Sequence, residues 1–175
     1  SQQYTQPFTV DKTTTIKAKA IRNGRESNVT EETLTYNLAT MHPITLKCEP
    51  DEKFTYKGAN LLVDGMTGDD NYRSGRYIGI YGQDFDATID LQEPKEISAV
   101  SRGTYLVPGD YIFGLTGLEV YGSEDGKTYS KIASKAIPTL EKGSKNNVLK
   151  RDTVNFDKTK TRYVQIIGKN TPVLP

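Results

Sequence analysis

The apolar residues of this chain recur with a period of two, in short runs set off by turn residues, and no stretch of ten residues carries a helical repeat. That period puts successive side chains on opposite faces of a strand. Thr13-Thr-Thr-Ile-Lys-Ala-Lys-Ala20 sets Ile16, Ala18 and Ala20 against Thr and Lys, and Asp86-Ala-Thr-Ile-Asp-Leu91 sets Ala87, Ile89 and Leu91 on one face. Asn23-Gly24 and Asp125-Gly126 supply the turns that two-residue hairpins prefer, with Glu31–Tyr36 and Tyr129–Ala133 as returning strands. Further strands are predicted at Ile44–Cys48, Glu96–Val100, Leu118–Tyr121 and, rich in β-branched residues, Arg162–Ile167. Turns or loops fall at Pro50–Lys53 and Gly143–Asn147. Short strands at even spacing predict an all-β fold, a β-sandwich or jelly roll.

A chain of 175 residues has room for one sizeable core and part of another. Composition shifts near Asn37. Residues 1–38 read as the C-terminal strands of a small β domain, because two or three strands cannot enclose a core unaided, and residues 39–175 read as a β-sandwich. No window reaches the about 18 consecutive apolar residues of a membrane span. The polar opening Ser1-Gln-Gln-Tyr-Thr-Gln-Pro7 holds no leader, so an export signal is expected upstream or not at all. One cysteine, Cys48, and one histidine, His42, give little support to disulfide, zinc or cysteine-nucleophile chemistry. The net charge of +1 hides an asymmetry. Residues 51–93 hold nine acids against four bases, and residues 131–162 hold nine bases against three acids. No helix-turn-helix, finger or aromatic RNA-binding signature accompanies the basic tract, which reads as solvated strand edges rather than a nucleic-acid surface.

The stretch from Asn60 to Leu91 stands apart. Asp64, Asp69, Asp70 and Asn71 crowd with glycines into an acidic, turn-rich loop that feeds the Asp86–Leu91 strand. Between them, Tyr72-Arg-Ser-Gly-Arg-Tyr77 groups aromatic rings and guanidinium groups suited to stacking and to hydrogen-bonding hydroxyls.

Four segments, Leu62-Val-Asp-Gly65, Ala87-Thr-Ile-Asp-Leu91, Leu118-Glu-Val-Tyr-Gly-Ser-Glu-Asp-Gly-Lys-Thr-Tyr129 and Thr161-Arg-Tyr-Val-Gln165, give residues 43–170 a resemblance to the discoidin family, also called the coagulation factor V/VIII type C domain. Residues 5–36 resemble the last strands of the fibronectin-like domain that follows the catalytic barrel in bacterial β-N-acetylhexosaminidases, the chitobiases of glycoside hydrolase family 20. The resemblance implies a discoidin-like β-sandwich after a partial fibronectin-like domain, a non-catalytic carbohydrate-binding appendage of an extracytoplasmic glycosidase whose catalytic domain lies upstream. Its partners would be a glycan containing N-acetylhexosamine or galactose and that catalytic domain. The alternatives are a purely structural domain supporting the barrel and a protein-adhesion module, although the few apolar loop residues, Met66, Leu106 and Val107, do not favour adhesion.

From the same resemblance, sugar contacts are expected at Tyr72, Arg73, Arg76, Tyr77 and Tyr81, followed by Arg102 and Tyr105. It also implies a structural calcium ion under the loop, held by backbone carbonyls and Asp64, with Asn60 and Thr67 as further oxygen donors. Family members add a strand and an acid after the equivalent of Tyr163–Ile167, where this sequence ends in Thr171-Pro-Val-Leu-Pro175, so either the sequence is trimmed there or the last strand is missing. Hexosaminidases act through an adjacent Asp-Glu pair on a barrel. Asp51-Glu52 is such a dipeptide but stands in a turn beside Lys53, and no catalysis is expected from this chain.

Overall fold

The structure is a computed structural model that describes residues 2–171. Among the described residues nine strands order as β1 (Thr14–Ala18), β2 (Ile21–Arg22), β3 (Arg25–Glu26), β4 (Thr30–Leu34), β5 (Ile44–Leu46), β6 (Phe85–Leu106), β7 (Gly117–Ser123), β8 (Ser130–Ala136) and β9 (Val148–Lys169). Among the described residues the only helical pieces are short 3-10 turns at Glu52–Phe54, Gly58–Val63 and Pro108–Asp110.

β5 to β9 form one antiparallel sheet in the order β5-β6-β9-β7-β8. Its spine is the pairing of β6 with β9, each 22 residues long. The segments Asp86–Leu91 and Glu96–Val100, expected as separate strands, are thus parts of one. Arg162–Ile167 is likewise the end of a strand whose first half carries a weaker sequence signal. The ladder breaks in register between Asp90 and Lys95 and again between Ile97 and Ala99, and Gln92 in the break takes φ 65. Such breaks bend a strand and increase its twist. The ladder consequently folds over itself: Ile89, Leu91 and Val164 from one side of the break share a core with Ile97 and Val154 from the other, closed by Leu118, Val120 and Ile137. This doubling makes a sandwich out of a single sheet. Leu118 and Val120, the most deeply buried of these large side chains, lie on β7, where the alternation is cleanest.

Cys48 is buried, with its Sγ accepting from Asp86 N at 3.4 Å, a packed strand-end residue as its isolation in the sequence suggests.

The N-terminal strands stay outside this core. β1 pairs with β4, and β2 with β3 through the Asn23-Gly24 turn, whose φ values of 51 and 74 fit a hairpin of the expected tight type. The end of β4 runs on to the sandwich. Leu34 bridges Met66, Thr35 N donates to Gly65 O at 2.7 Å, and Met41 N donates to Val63 O at 2.8 Å. The acidic loop is thereby stitched to the chain that precedes the sandwich. The expectation of a missing last strand concerns residues 172–175, outside the described residues; β9 itself extends to Lys169.

Candidate functional site

A rim of aromatic side chains gathers where three loops meet. The segment after β5 and the segment before β6 run side by side: Pro50 bridges Ile80, Asp51 N donates to Gly79 O at 2.9 Å, and Gly79 N to Phe54 O at 3.2 Å. Phe54 is the anchor, with ring centroids 6.4 Å from Tyr56 and 5.9 Å from Tyr72. Tyr72 sits in a loop shaped by side chains that cap backbone N–H groups two residues on, Asp69 Oδ1 for Asn71 and Asn71 Oδ1 for Arg73. Its hydroxyl donates to Asp110 Oδ2 at 2.8 Å, and the Arg73 guanidinium lies 5.2 Å from its ring centroid. Asp110 brings in the third loop, whose next residue, Tyr111, adopts a left-handed φ of 59 and leaves its ring 79% exposed. Tyr56 also has a positive φ, 39, and an exposed ring. Left-handed backbone at bulky residues is strained and concentrates at sites where orientation matters. The rim thus offers Tyr56, Tyr72 and Tyr111 as ring surfaces, with Arg73 and Asp110 as hydrogen-bonding groups among them.

Of the seven residues expected to contact sugar, the structure sets two, Tyr72 and Arg73, on this rim. Tyr81 is 85% exposed in the neighbouring return, without a hydrogen bond or ring contact among the described residues. The other four turn inward. Arg76 makes a two-pronged bond to Glu32 of β4, Nη1 to Oε1 at 3.0 Å and Nη2 to Oε2 at 2.5 Å, and Nη1 also donates to Thr67 O at 3.1 Å. The guanidinium holds the Glu32 carboxyl below its usual range. Tyr77 donates its hydroxyl to Asp69 O and lays its ring on Gly68, where a Cβ would come within 2.4 Å of ring atoms. Burial raises its phenol to about 12. Tyr105, 9% exposed, lies 6.2 Å from Tyr77 between ring centroids and accepts from Asn147 Nδ2 at 3.2 Å. Arg102 on β6 faces its register partner Asp152 on β9, with its Nη2 3.6 Å from Asp152 Oδ2, and Lys150 Nζ lies 3.4 Å from Asp152 Oδ1. These four brace the loop and the sheet below it.

Tyr56, Asp110 and Tyr111 escaped the sequence reading. Tyr111 carried a signal in the aromatic residues flanking Pro108-Gly109, whereas nothing around Tyr56 distinguishes it from a loop tyrosine.

The residues expected around calcium fit that ion poorly. Asp64 Oδ1 accepts Met66 N at 2.9 Å, closing the 3-10 turn, Thr67 O is taken by Arg76, and Asn60 is exposed. Calcium draws on about six to eight oxygens. No three His, Cys, Asp or Glu side chains converge on a common point among the described residues. The cation that the Thr67 oxygen meets is the Arg76 guanidinium. Asp51, of the Asp-Glu dipeptide, spends Oδ1 on Lys53 N at 2.9 Å in capping a 3-10 turn.

Comparison with known proteins agrees with the architecture. A fucose binding module of Streptococcus pneumoniae aligns over 79% of this chain and 90% of its own at 15% identity, with a TM-score of 0.53. The crystal structure of SpGH29 aligns over 80% of this chain and 26% of its own at 12% identity, with a TM-score of 0.52. A module from Clostridium perfringens, solved with GalNAc-beta-1,3-galactose, aligns over 75% and 86% at 20% identity, with a TM-score of 0.47. No curated protein matches the chain by sequence. Residues 1–34 match the model described as Fn3 associated. Residues 47–173 match that of the F5/8 type C domain, and the chain belongs to this family.

Proposed function

We propose that this chain is a non-catalytic carbohydrate-binding domain that docks a glycoside hydrolase on glycan. The observation that carries the reading is the rim: three tyrosines from three loops, two of them held in strained backbone, with a guanidinium and a carboxylate between them. Rings of this kind pack on the apolar face of a sugar while Arg73 and Asp110 meet its hydroxyls. Tyr81 stands close by in sequence as an outlying contact. The fold similarity to a fucose binding module supports the class of ligand. A parent of the β-N-acetylhexosaminidase type, in an extracytoplasmic setting, accords with the Fn3-associated match ahead of the sandwich, and that parent's catalytic domain is the expected covalent partner.

Calorimetry with N-acetylglucosamine and galactose-type oligosaccharides tests the reading. Saturable binding that Tyr72→Ala weakens supports it; flat titrations with both sugars leave the second reading, an architectural domain. The Arg76–Glu32 bond favours that alternative, since it fixes the N-terminal strands against the sandwich. Attachment of this chain to a hydrolase would then raise the enzyme's melting temperature without adding glycan affinity.

A further inference from the structure

Behind the braced face of the loop lies an open groove of about 220 Å³. One wall is Tyr77 with the backbone of Thr67 and Gly68; the other is Leu149, Lys150 and Arg151 of β9 beside Gly103 of β6. Gly103 pairs with Arg151 in register, and its lack of a side chain keeps the depression open at that point. The walls are rigid, because Tyr77 is fixed by its bond to Asp69 O and by contact with Gly68, and the other side is the paired spine of the sheet. Leu149 leaves 51% of its surface in solvent and shares a strand face with Arg151, two residues on.

The charge at this end is positive and underused. Arg151 has a single long bond, Nη1 to Ser101 Oγ at 3.4 Å, and no carboxylate within ion-pair distance among the described residues. Lys150 and Arg102 lie on the opposite, inward face of the sheet, where they share the carboxylate of Asp152, and Arg151 is the cation on the groove side. Two acids act on the Tyr77 phenol of the opposite wall, Asp69, which faces Arg76 at 3.6 Å and caps Asn71 N, and the exposed Asp70 beside it; neither is within ion-pair distance of Arg151 among the described residues. An apolar wall opposite a free guanidinium fits a ring that is apolar on one face and negatively charged at one edge. The volume, below the roughly 300–1,000 Å³ of sites for drug-sized ligands, fits one sugar ring.

We propose that this groove is a second glycan subsite, separate from the tyrosine rim, that takes a single sugar ring bearing a carboxylate or sulfate, its anionic group held by Arg151 and its apolar face on Tyr77 and Leu149. It stands on the groove's own chemistry and does not need the rim to bind. The test is amide chemical-shift titration of the labelled chain at low salt with sodium glucuronate, N-acetylglucosamine 6-sulfate, glucose and inorganic sulfate. Expected are shifts at Gly68, Gly103 and Arg151 with either anionic sugar, at affinities at least about tenfold above those of glucose or inorganic sulfate. Arg151→Ala removes the preference. Gly103→Leu, which fills the groove and keeps the charges, removes binding, its Cβ fitting 3.8 Å from the Arg151 side chain. Tyr72→Ala leaves it intact. The proposal is overturned if neither anionic sugar shifts these amides, if inorganic sulfate binds as well as both sugars, or if Arg151→Ala and Gly103→Leu bind like the parent chain.

Discussion

Two sets of tyrosines and arginines, drawn from the same short stretch of sequence, end in opposite roles. Tyr72 and Arg73 stay on the rim, while Arg76 and Tyr77, three and four residues later, are turned into the body of the protein. Residue type does not separate them. What separates them is whether a partner of matching chemistry lies within reach: Glu32 for Arg76, a backbone carbonyl and the bare face of Gly68 for Tyr77, and only a surface carboxylate, Asp110, for Tyr72. A ring or guanidinium whose bonding capacity is taken up by the protein becomes a brace, and one that keeps part of its capacity free is available to a ligand.

The braced set predicts the largest losses of stability. Arg102→Met leaves the half-buried carboxylate of Asp152, whose side chain is 12% exposed, with only Lys150 beside it. Removing one member of a buried pair costs about 3–5 kcal/mol, and the remaining lysine brings this toward about 3 kcal/mol, read as a fall in denaturation midpoint. Replacing Asp152 by Leu in the same chain is expected to recover part of that. A double variant no better than the single one would mean that Arg102 acts through packing alone.

The sharpest break of the comparison is the pair Tyr77→Ala and Tyr72→Ala. Tyr77→Ala is expected to cost about 2 kcal/mol of stability for a half-buried ring. Tyr72→Ala is expected to weaken glycan binding by about 2 kcal/mol, as at a contact hot spot, with stability nearly unchanged. Exchange of the two outcomes would reverse the assignment of rim and brace. An alkaline titration sharpens it further. The folded Tyr77 phenol is raised to about 12 from 10, so its contribution is complete below pH 10 and is lost as the pH rises through about 12. Tyr77→Phe should remove that alkaline loss and the last-titrating component of the tyrosinate absorbance.

The strands and the Asn23-Gly24 turn were legible because alternation and turn chemistry are local properties, whereas Asp125-Gly126 lies in a six-residue loop, 124–129, and not in the two-residue turn expected of it. The joining of Asp86–Leu91 and Glu96–Val100 into one strand was not, because it depends on β9 pairing across Gln92–Pro94, about 70 residues away in sequence. The site divided in the same manner. Tyr72 and Arg73 are held by neighbouring Asx turns that a sequence shows, whereas Arg76 was diverted by Glu32, 44 residues earlier. Long-range partners decided which candidates remained exposed.

Glu32→Gln loosens that distant partner at modest cost. With side chains 33% and 26% exposed, the Glu32–Arg76 pair is discounted for screening to about 1 kcal/mol, which in a chain of this size is about 2–4 °C in melting temperature. Because the folded Glu32 carboxyl lies below 4.5, its contribution is present above that pH and is lost as the pH falls through the lower folded value. The parent and the variant should therefore differ at neutral pH and converge in acid. Parallel acid limbs would show that the bond adds nothing. A smaller effect is expected for Tyr111→Asn, since Asn tolerates the left-handed φ that Tyr111 adopts. Stability should stay within about 0.5 kcal/mol of the parent while glycan affinity falls; unchanged affinity would remove Tyr111 from the rim.

The smallest expected effect bears on what holds the loop. A cation bound only by the folded chain raises stability in proportion to its binding, by about 2.7 kcal/mol at a hundredfold excess over its dissociation constant. In this loop the Thr67 carbonyl is already bonded to Arg76, and Asp64 Oδ1 to the Met66 N–H. A calcium ion drawing on the Thr67 oxygen would meet there a guanidinium that is itself fixed on Glu32. Thermal melting in chelator and in millimolar calcium is therefore expected to coincide. A calcium-dependent rise in the parent chain would mean that the ion finds donors apart from this set. A rise confined to Arg76→Ala would show instead that the side chain and the ion compete for one position, and that the brace is a built-in cation.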